Sequence, residues 1–356
     1  MFIVSFCIPE YNNAKKTASI VRSMLLSDNH RFQIVVADNA STDCNLHYLE
    51  EIKDERFKLV KNKENIGPQK NWCKALDEGE GEFLYFLHAF DTLDMKKINV
   101  LFTQLEWMRS NGILCAHDDI TISTKIGEGN KVKYNKTNSV VNIIGFNHQT
   151  GMIVYREAFK SIRNRYDYFD NVYTYPENYI CRDLIRKSHS ARICSGLVFS
   201  FYDMNTKSSK HGADISKQWF YPDVRCNDLL RVFNMALLDK ELNFNRNECS
   251  YMISKYWRSL SLEVGIQWRN RMIDVGMVTH YGVNPQIITS RETMCNIFKA
   301  YNKITSWSKE HGNLLTIKGK IEIWKWICIR IIQIVYPKYR LNVEYKNMLK
   351  RLNKDE

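Results

Sequence analysis

Over its first hundred residues the chain alternates short apolar runs with segments patterned like amphipathic helices. Ile3-Val4-Ser5-Phe6-Cys7-Ile8, Ile34-Val35-Val36-Ala37 and Phe83-Leu84-Tyr85-Phe86-Leu87 are runs of strand length, and Phe57-Lys58-Leu59-Val60 is a shorter one. Near-continuous apolar runs of this kind mark strands buried on both faces. Between the first two, Ala14, Ala18, Val21, Met24 and Leu25 recur at helical spacing, with Lys15, Lys16 and Thr17 on the other side. Leu46, Leu49, Ile52 and Phe57 mark a second crossover, and Trp72, Ala75 and Leu76 a third. Such a strand–helix repeat predicts a parallel sheet with helices on both faces.

Beyond this block the pattern predicts a helix over 95–110, ended by Asn111-Gly112, and a strand at Ile113-Leu114-Cys115-Ala116 with His117-Asp118-Asp119 at its end. The polar, lysine-rich stretch 120–140 reads as a hairpin or mobile loop, and 143–159 as a strand followed by a helix. From about residue 215 long helical patterns take over, with Leu229, Leu230, Val232, Phe233, Ala236 and Leu237, then Tyr251, Ile253, Tyr256, Trp257 and Leu260. The expected organisation is an α/β domain over 1–215, in halves 1–110 and 111–215, followed by a helical C-terminal region over 216–356.

Loops that leave parallel strands at their carboxyl ends converge on one crevice, the usual ligand site of open α/β sheets. Four polar loops stand in the right places: Pro9-Glu10-Tyr11-Asn12, Asp38-Asn39-Ala40-Ser41-Thr42-Asp43, Asn65-Ile66-Gly67-Pro68-Gln69-Lys70-Asn71 and His88-Ala89-Phe90-Asp91. Singly, each is ordinary turn chemistry. In this order and spacing they resemble the family 2 glycosyltransferases, whose loops read P-x-Y-N, D-x-x-S-T-D, N-x-G-x-x-x-N and D-x-D. The resemblance is firm over 1–110 and loose over 110–215. It implies a GT-A-type, Rossmann-like, mostly parallel sheet with helices on both faces. Of the D-x-D pair only Asp91 is present; Ala89 holds the place of the first acid.

The resemblance also implies roles. Asp38 would accept a hydrogen bond from the uracil ring N–H; an Asx-turn or helix cap is the other reading of that carboxylate. Pro9, Glu10 and Tyr11 would line the base and ribose, Tyr11 by stacking, although a buried structural Tyr reads equally well. Asn65, Gly67 and Asn71 would shape the loop, with Lys63 or Lys70 near the phosphates. His88 would contact the sugar or ribose, or serve only in the loop. Asp91 would ligate Mg²⁺ or Mn²⁺, with His211 as a second ligand, and Ala89 leaves the strictness of metal dependence open. The family's E-D motif corresponds to Tyr175-Pro176-Glu177-Asn178, which makes Glu177 the general base of an inverting transfer, with Asn178 in place of the acid the family often uses and Asp183, six residues on, as a substitute for it. A carboxylate at a helix start is the plainer reading of Glu177. Asp118 and Asp119 could line the acceptor cleft.

Composition narrows the class. At 356 residues and 44% apolar content the chain can fill a core. Ten cysteines without a C-x-x-C pair predict free thiols in a reducing cytoplasm. The first strand begins within a couple of residues of the start, so no secretion signal is expected, and no run of eighteen apolar residues suggests a spanning helix. The net charge of +12 comes with no nucleic-acid-binding module, so no nucleic-acid partner is expected. Half of it lies after Leu314, beside Ile321–Tyr336, an amphipathic segment interrupted by Lys325 and Arg330. Aromatics interleaved with basic residues suit an anionic membrane surface; a core helix with a solvated basic tail is the alternative.

The expected protein is thus a cytoplasmic inverting glycosyltransferase at the inner face of the plasma membrane. It would move sugar from a nucleotide-diphosphate donor, a UDP-sugar, to a hydroxyl of a lipid-linked glycan in bacterial O-antigen or capsule synthesis. The alternative is a catalytically impaired nucleotide-binding or assembly subunit. A nucleotidyltransferase would need a glycine-rich phosphate loop, which is absent.

Overall fold

The computed structural model describes residues 1–89, 91, 93–118, 135–144, 150–163, 165–169, 177–198, 221–272 and 289–335. Two compact units divide the chain, Met1–Met204 and Asn205–Glu356.

The first unit runs β1 (Val4–Glu10), α1 (Ala14–Leu25), β2 (Phe32–Asp38), α2 (His47–Glu50), β3 (Phe57–Lys61), α3 (Pro68–Asp77), β4 (Phe83–Phe86), α4 (Ile98–Ser110) and β5 (Ile113–Asp118). It continues through α5 (Lys136–Ile143), β6 (Met152–Tyr155), α6 (Arg156–Lys160), α7 (Glu177–Lys187) and β7 (His189–Ile193). The seven strands form one sheet in the order β3-β2-β1-β4-β6-β5-β7. β1 to β4 are mutually parallel where they pair, β6 is antiparallel to both β4 and β5, and β7 is parallel to β5.

The apolar runs become strands because helices cover both faces. Val4, Phe6, Ile8, Ile34 and Val36 share a core with Val21 and Met24 of α1 and Leu101, Leu105 and Met108 of α4. On the other face the turn into β4 crosses β1 closely: Gly81 N–H donates to Ser5 Oγ at 2.7 Å, and a Cβ at Gly81 would sit 2.5 Å from the β1 backbone. Only glycine admits that approach.

One expectation changes. The stretch over 120–140, read as a loop, ends in α5. Its inward face is Thr137, Ser139, Val140 and Ile143, so half of the buried stripe is hydroxyl-bearing and escapes an apolar count. Ser190 Oγ donates to the Ser139 carbonyl at 2.7 Å, and Asn135 caps the helix by accepting from Asn138 N–H at 2.7 Å. β6 runs against both of its neighbours, and the sheet is parallel at every other pairing, the mostly parallel arrangement expected.

The second unit contains α8 (Pro222–Ala236), α9 (Arg246–Leu262), a π-helical turn over Glu263–Gln267, α10 (Trp268–Met272), α11 (Ser290–Glu310) and α12 (Ile317–Val335). Asn245 and Glu248 form a capping box at the start of α9. Buried Trp257 donates from Nε1 to the Ile323 carbonyl at 3.1 Å, and a Cβ on Gly319 would lie 2.1 Å from Ser250 Oγ. These contacts fix which side of α12 faces inward. Among the described residues no helix is long and apolar enough to cross a membrane.

Candidate functional site

Glu10 and Asp38 are register partners at the carboxyl ends of β1 and β2, and their loops are cross-tied. Asn39 N–H donates to the Glu10 carbonyl at 2.9 Å, Asn12 N–H to Ser41 Oγ at 2.9 Å, and Thr42 N–H to Asn12 Oδ1 at 2.7 Å. Asn12, Ala40 and Cys44 take left-handed backbone angles of 53°, 58° and 57°, which Asn adopts more readily than Ala or Cys.

The third loop joins through asparagine side chains. Asn39 Nδ2 donates to Asn65 Oδ1 at 2.8 Å, while Asn39 Oδ1 accepts from Ile66 N–H at 2.9 Å. Buried Asn71 donates to the Ala37 carbonyl at 2.8 Å and accepts from Asn62 Nδ2 at 2.8 Å. Gly67, at φ 84°, turns the chain into α3, and Pro68 opens that helix. Three loops therefore form one polar platform with little freedom to rearrange. Asn39 stands in the second motif but was given no role from sequence, and Asn62, five residues before the motif glycine, was not singled out.

On this platform Tyr11 is 47% exposed and Pro9 is half-buried. Asp38 is buried and accepts from Ser41 Oγ at 2.5 Å and Ser41 N–H at 3.3 Å, an Asx-turn that still leaves a carboxylate acceptor capacity. Lys70 lies half-buried in the first turns of α3. A shallow cavity of about 480 Å³ opens between the start of α1 and the Asp43–Asn45 turn, with Lys15 and Lys16 on its wall.

Glu10 behaves differently. Its buried carboxylate turns back into its own loop, accepting from Asn13 N–H at 2.5 Å and from Thr17 Oγ1. Burial pushes its pKa from 4.5 up to about 7, against the lowering effect of those two donors and with smaller upward pushes from Asp38 and Asp43. A carboxyl whose folded pKa lies above its unfolded one keeps a proton that the unfolded chain has released. Its stabilising contribution is complete below pH 4.5 and is lost as pH rises to 7, on the order of 3 kcal/mol in all. Thermal unfolding from pH 5 to 8 should show the wild type losing stability relative to Glu10→Gln. Parallel pH profiles would contradict this.

At the end of β4, His88 N–H donates to Thr150 Oγ1 at 3.1 Å, and Thr150 Oγ1 donates to Asp91 Oδ2. The His88 ring meets Trp72 and Phe86 edge-on, at centroid distances of 5.9 and 5.1 Å. Thr150 is buried and holds the loop and the buried Asp91 carboxylate together. Beside them, Asp118 at the end of β5 accepts from Ser195 N–H at 2.8 Å, from Ser195 Oγ, and from the Tyr85 hydroxyl at 3.1 Å. Burial pushes the Tyr85 hydroxyl well above its ordinary pKa, helped by the charges of Asp118 and then Asp91. The Asp118 and Asp91 carboxylates thus both act on the Tyr85 hydroxyl. Gly151, at φ 97°, brings its carbonyl to accept from Asp118 N–H at 2.8 Å, and a Cβ there would meet the Asp118 carbonyl at 2.5 Å.

A divalent cation suits this chemistry. An ion with Asp91 as its protein carboxylate would take its other ligands from a diphosphate and water; among the described residues no group of three or more potential ligating side chains is gathered. His211, the second ligand expected from sequence, lies outside the described residues, as do Asp119, Tyr175 and Pro176.

Glu177 is buried at the first position of α7, where a carboxylate suits the helix dipole; the Cys181 thiol, pushed well above its ordinary pKa by its contact with Cys115 and by burial, takes a smaller upward push from Glu177. Asp183 is six residues on, roughly 120° around the helix, so the two acids do not share a face. Its carboxylate is engaged by Arg182 Nε at 2.9 Å, Arg186 at 3.2 Å and the Tyr168 hydroxyl at 2.6 Å.

Residues 5–163 match the family described as Glycosyl transferase family 2. Abequosyltransferase RfbV of Salmonella typhimurium is 26% identical over 109 residues, 29% of this chain and 33% of that protein. An uncharacterized glycosyltransferase of Haemophilus influenzae is 25% identical over 171 residues, 46% of this chain and 66% of that protein. The chain spans 28%, 20% and 66% of the lengths of three curated relatives that it matches. The solved structure of S. aureus TarS 1–349 aligns with a TM-score of 0.51 at 14% identity, over 85% of this chain and 88% of that one. The same fragment in complex with UDP-GlcNAc gives 0.51 at 15% identity over the same shares. At such identities the likeness is one of fold, the GT-A architecture.

Proposed function

We propose that this chain, whose residues 5–163 match Glycosyl transferase family 2, moves a sugar from a UDP-sugar to a hydroxyl of a lipid-linked glycan in bacterial surface-polysaccharide synthesis. The observation that carries the donor reading is the platform at the ends of β1 and β2, with buried Asp38 beside exposed Tyr11. A carboxylate there accepts from an imide N–H, which favours uracil. The fold neighbour TarS, solved with UDP-GlcNAc, supports the same nucleotide.

Mg²⁺ or Mn²⁺, held by Asp91 and the diphosphate, would supply Lewis acidity toward the leaving group. Lys70, near the start of α3, offers positive charge to the phosphates. Glu177 takes the proton from the acceptor hydroxyl, with inversion at the anomeric carbon. Asp183 is instead held by two guanidinium groups and the Tyr168 hydroxyl, and it lies off the face that carries Glu177. The ten free thiols fit a reducing cytoplasm, and the basic C-terminal region fits work at an anionic membrane surface.

Incubation with labelled UDP-sugars and Mn²⁺ tests the reading. UDP release should be detected, and Glu177→Gln should lower transfer by about 10²- to 10⁴-fold while leaving UDP affinity unchanged. Ala89, in place of the first motif acid, favours a second reading, a nucleotide-binding subunit without transferase activity. UDP binding without turnover, indifferent to Glu177→Gln, would support that one instead.

A further inference from the structure

We propose that the outward face of α12 is a docking surface for anionic lipid. The proposal takes the membrane reading to a named face and holds whether or not the chain transfers sugar.

Ile317, Ile321, Trp324, Ile332 and Val335 are between 45% and 78% exposed, and Cys328 is exposed with them. At about 100° per residue these six positions fall within roughly 80° of one another, a single stripe along a helix about 28 Å long. The opposite side, Gly319, Ile323, Ile327, Arg330 and Ile334, is buried. The helix is therefore apolar on two sides, and its inner side packs on α9, with further contacts to α11 and the π-helical turn. Trp324 widens the outer stripe by meeting Tyr301 edge-on at 5.4 Å and Phe298 at 6.4 Å, both half-buried on α11.

Charge and period select the occupant. Exposed Lys318, Lys320 and Lys325 flank the stripe on both sides, and the helix carries one acid, Glu322, which faces away from the stripe and pairs with Lys325 at 3.5 Å. A second copy of this helix would bring one acid, Glu322, already paired with its own Lys325, against three lysines. The apolar spacing of 4, 3, 4, 4 and 3 averages 3.6 residues per turn, so the stripe runs straight along the helix instead of winding as a 3.5-residue seam would. A straight apolar stripe with an interfacial Trp and lysine margins fits a flat anionic bilayer surface.

Co-sedimentation of the full chain with phosphatidylcholine vesicles, with and without phosphatidylglycerol, tests this. Binding should require phosphatidylglycerol and weaken with added salt. Ile321→Glu with Ile332→Glu should lower partitioning at least about tenfold, and joint replacement of Lys318, Lys320 and Lys325 by alanine should lower it about a hundredfold. Both variants change exposed positions, so their melting temperatures should match the wild type. The proposal is overturned if the chain ignores anionic vesicles at low salt, or if folded variants bind as the wild type does. It is equally overturned if the chain is a dimer that Ile321→Glu dissociates and that does not bind vesicles.

Discussion

Asp91→Asn should reduce sugar transfer by about a hundredfold to a thousandfold, the range seen when one preorganised charge-stabilising group is removed. Asparagine keeps the side-chain volume and an oxygen that can still accept from Thr150 Oγ1, so the loop held by His88 and Thr150 should survive. What is lost is negative charge in a corner where Asp91 already shares the field with Asp118 around Tyr85. Relieving like charge there should leave the melting temperature unchanged or slightly higher. Steady-state transfer and a thermal melt on the same preparation separate the outcomes. A folded Asp91→Asn protein with wild-type turnover removes Asp91 from the site.

Asp118→Ala should instead cost stability, about 3–4 kcal/mol, because three donors converge on that carboxylate from two parts of the chain. Alanine would leave the Ser195 N–H, the Ser195 hydroxyl and the Tyr85 hydroxyl without their acceptor in a dry interior. For a unit of this size that is a fall in melting temperature of about 10 °C. Tyr85→Phe deletes one donor and leaves the carboxylate served by Ser195, so it should cost only about 1 kcal/mol. In an Asp118→Ala background the same Tyr85→Phe change should cost nothing or even stabilise, since no acceptor remains to be lost. Calorimetric melts of the two single variants and the double variant check this; additive losses would contradict the shared network.

The strands were legible because β1, β2 and β4 are buried on both faces, which writes their positions as continuous apolar runs. The platform loops were legible as motifs, since their turn residues sit at fixed offsets from those strands. What held the loops was less visible. Thr150 reaches Asp91 across 59 positions and Ser195 reaches Asp118 across 77, distances at which sequence carries no local signal. α5 was hidden because its buried stripe includes Thr137 and Ser139. Glu10 stood in a motif that suggested ligand contact, yet its carboxylate serves Asn13 and Thr17 at the start of α1. The separation of Glu177 from Asp183, by contrast, was available from helical geometry alone. The two-sided apolar pattern of α12 was also readable, but which side faced inward awaited Trp257 and Gly319.

The central claim is that the loops after β1 and β2 hold a uridine nucleotide, and calorimetric titration of UDP into the full chain with Mn²⁺ present tests it most directly. One site should be seen for the wild type, weakened about tenfold in Asp38→Asn, which keeps the turn to Ser41 but exchanges a charged acceptor for a neutral one. No UDP binding by folded wild-type protein, or equal affinity in folded Asp38→Asn, would contradict the account.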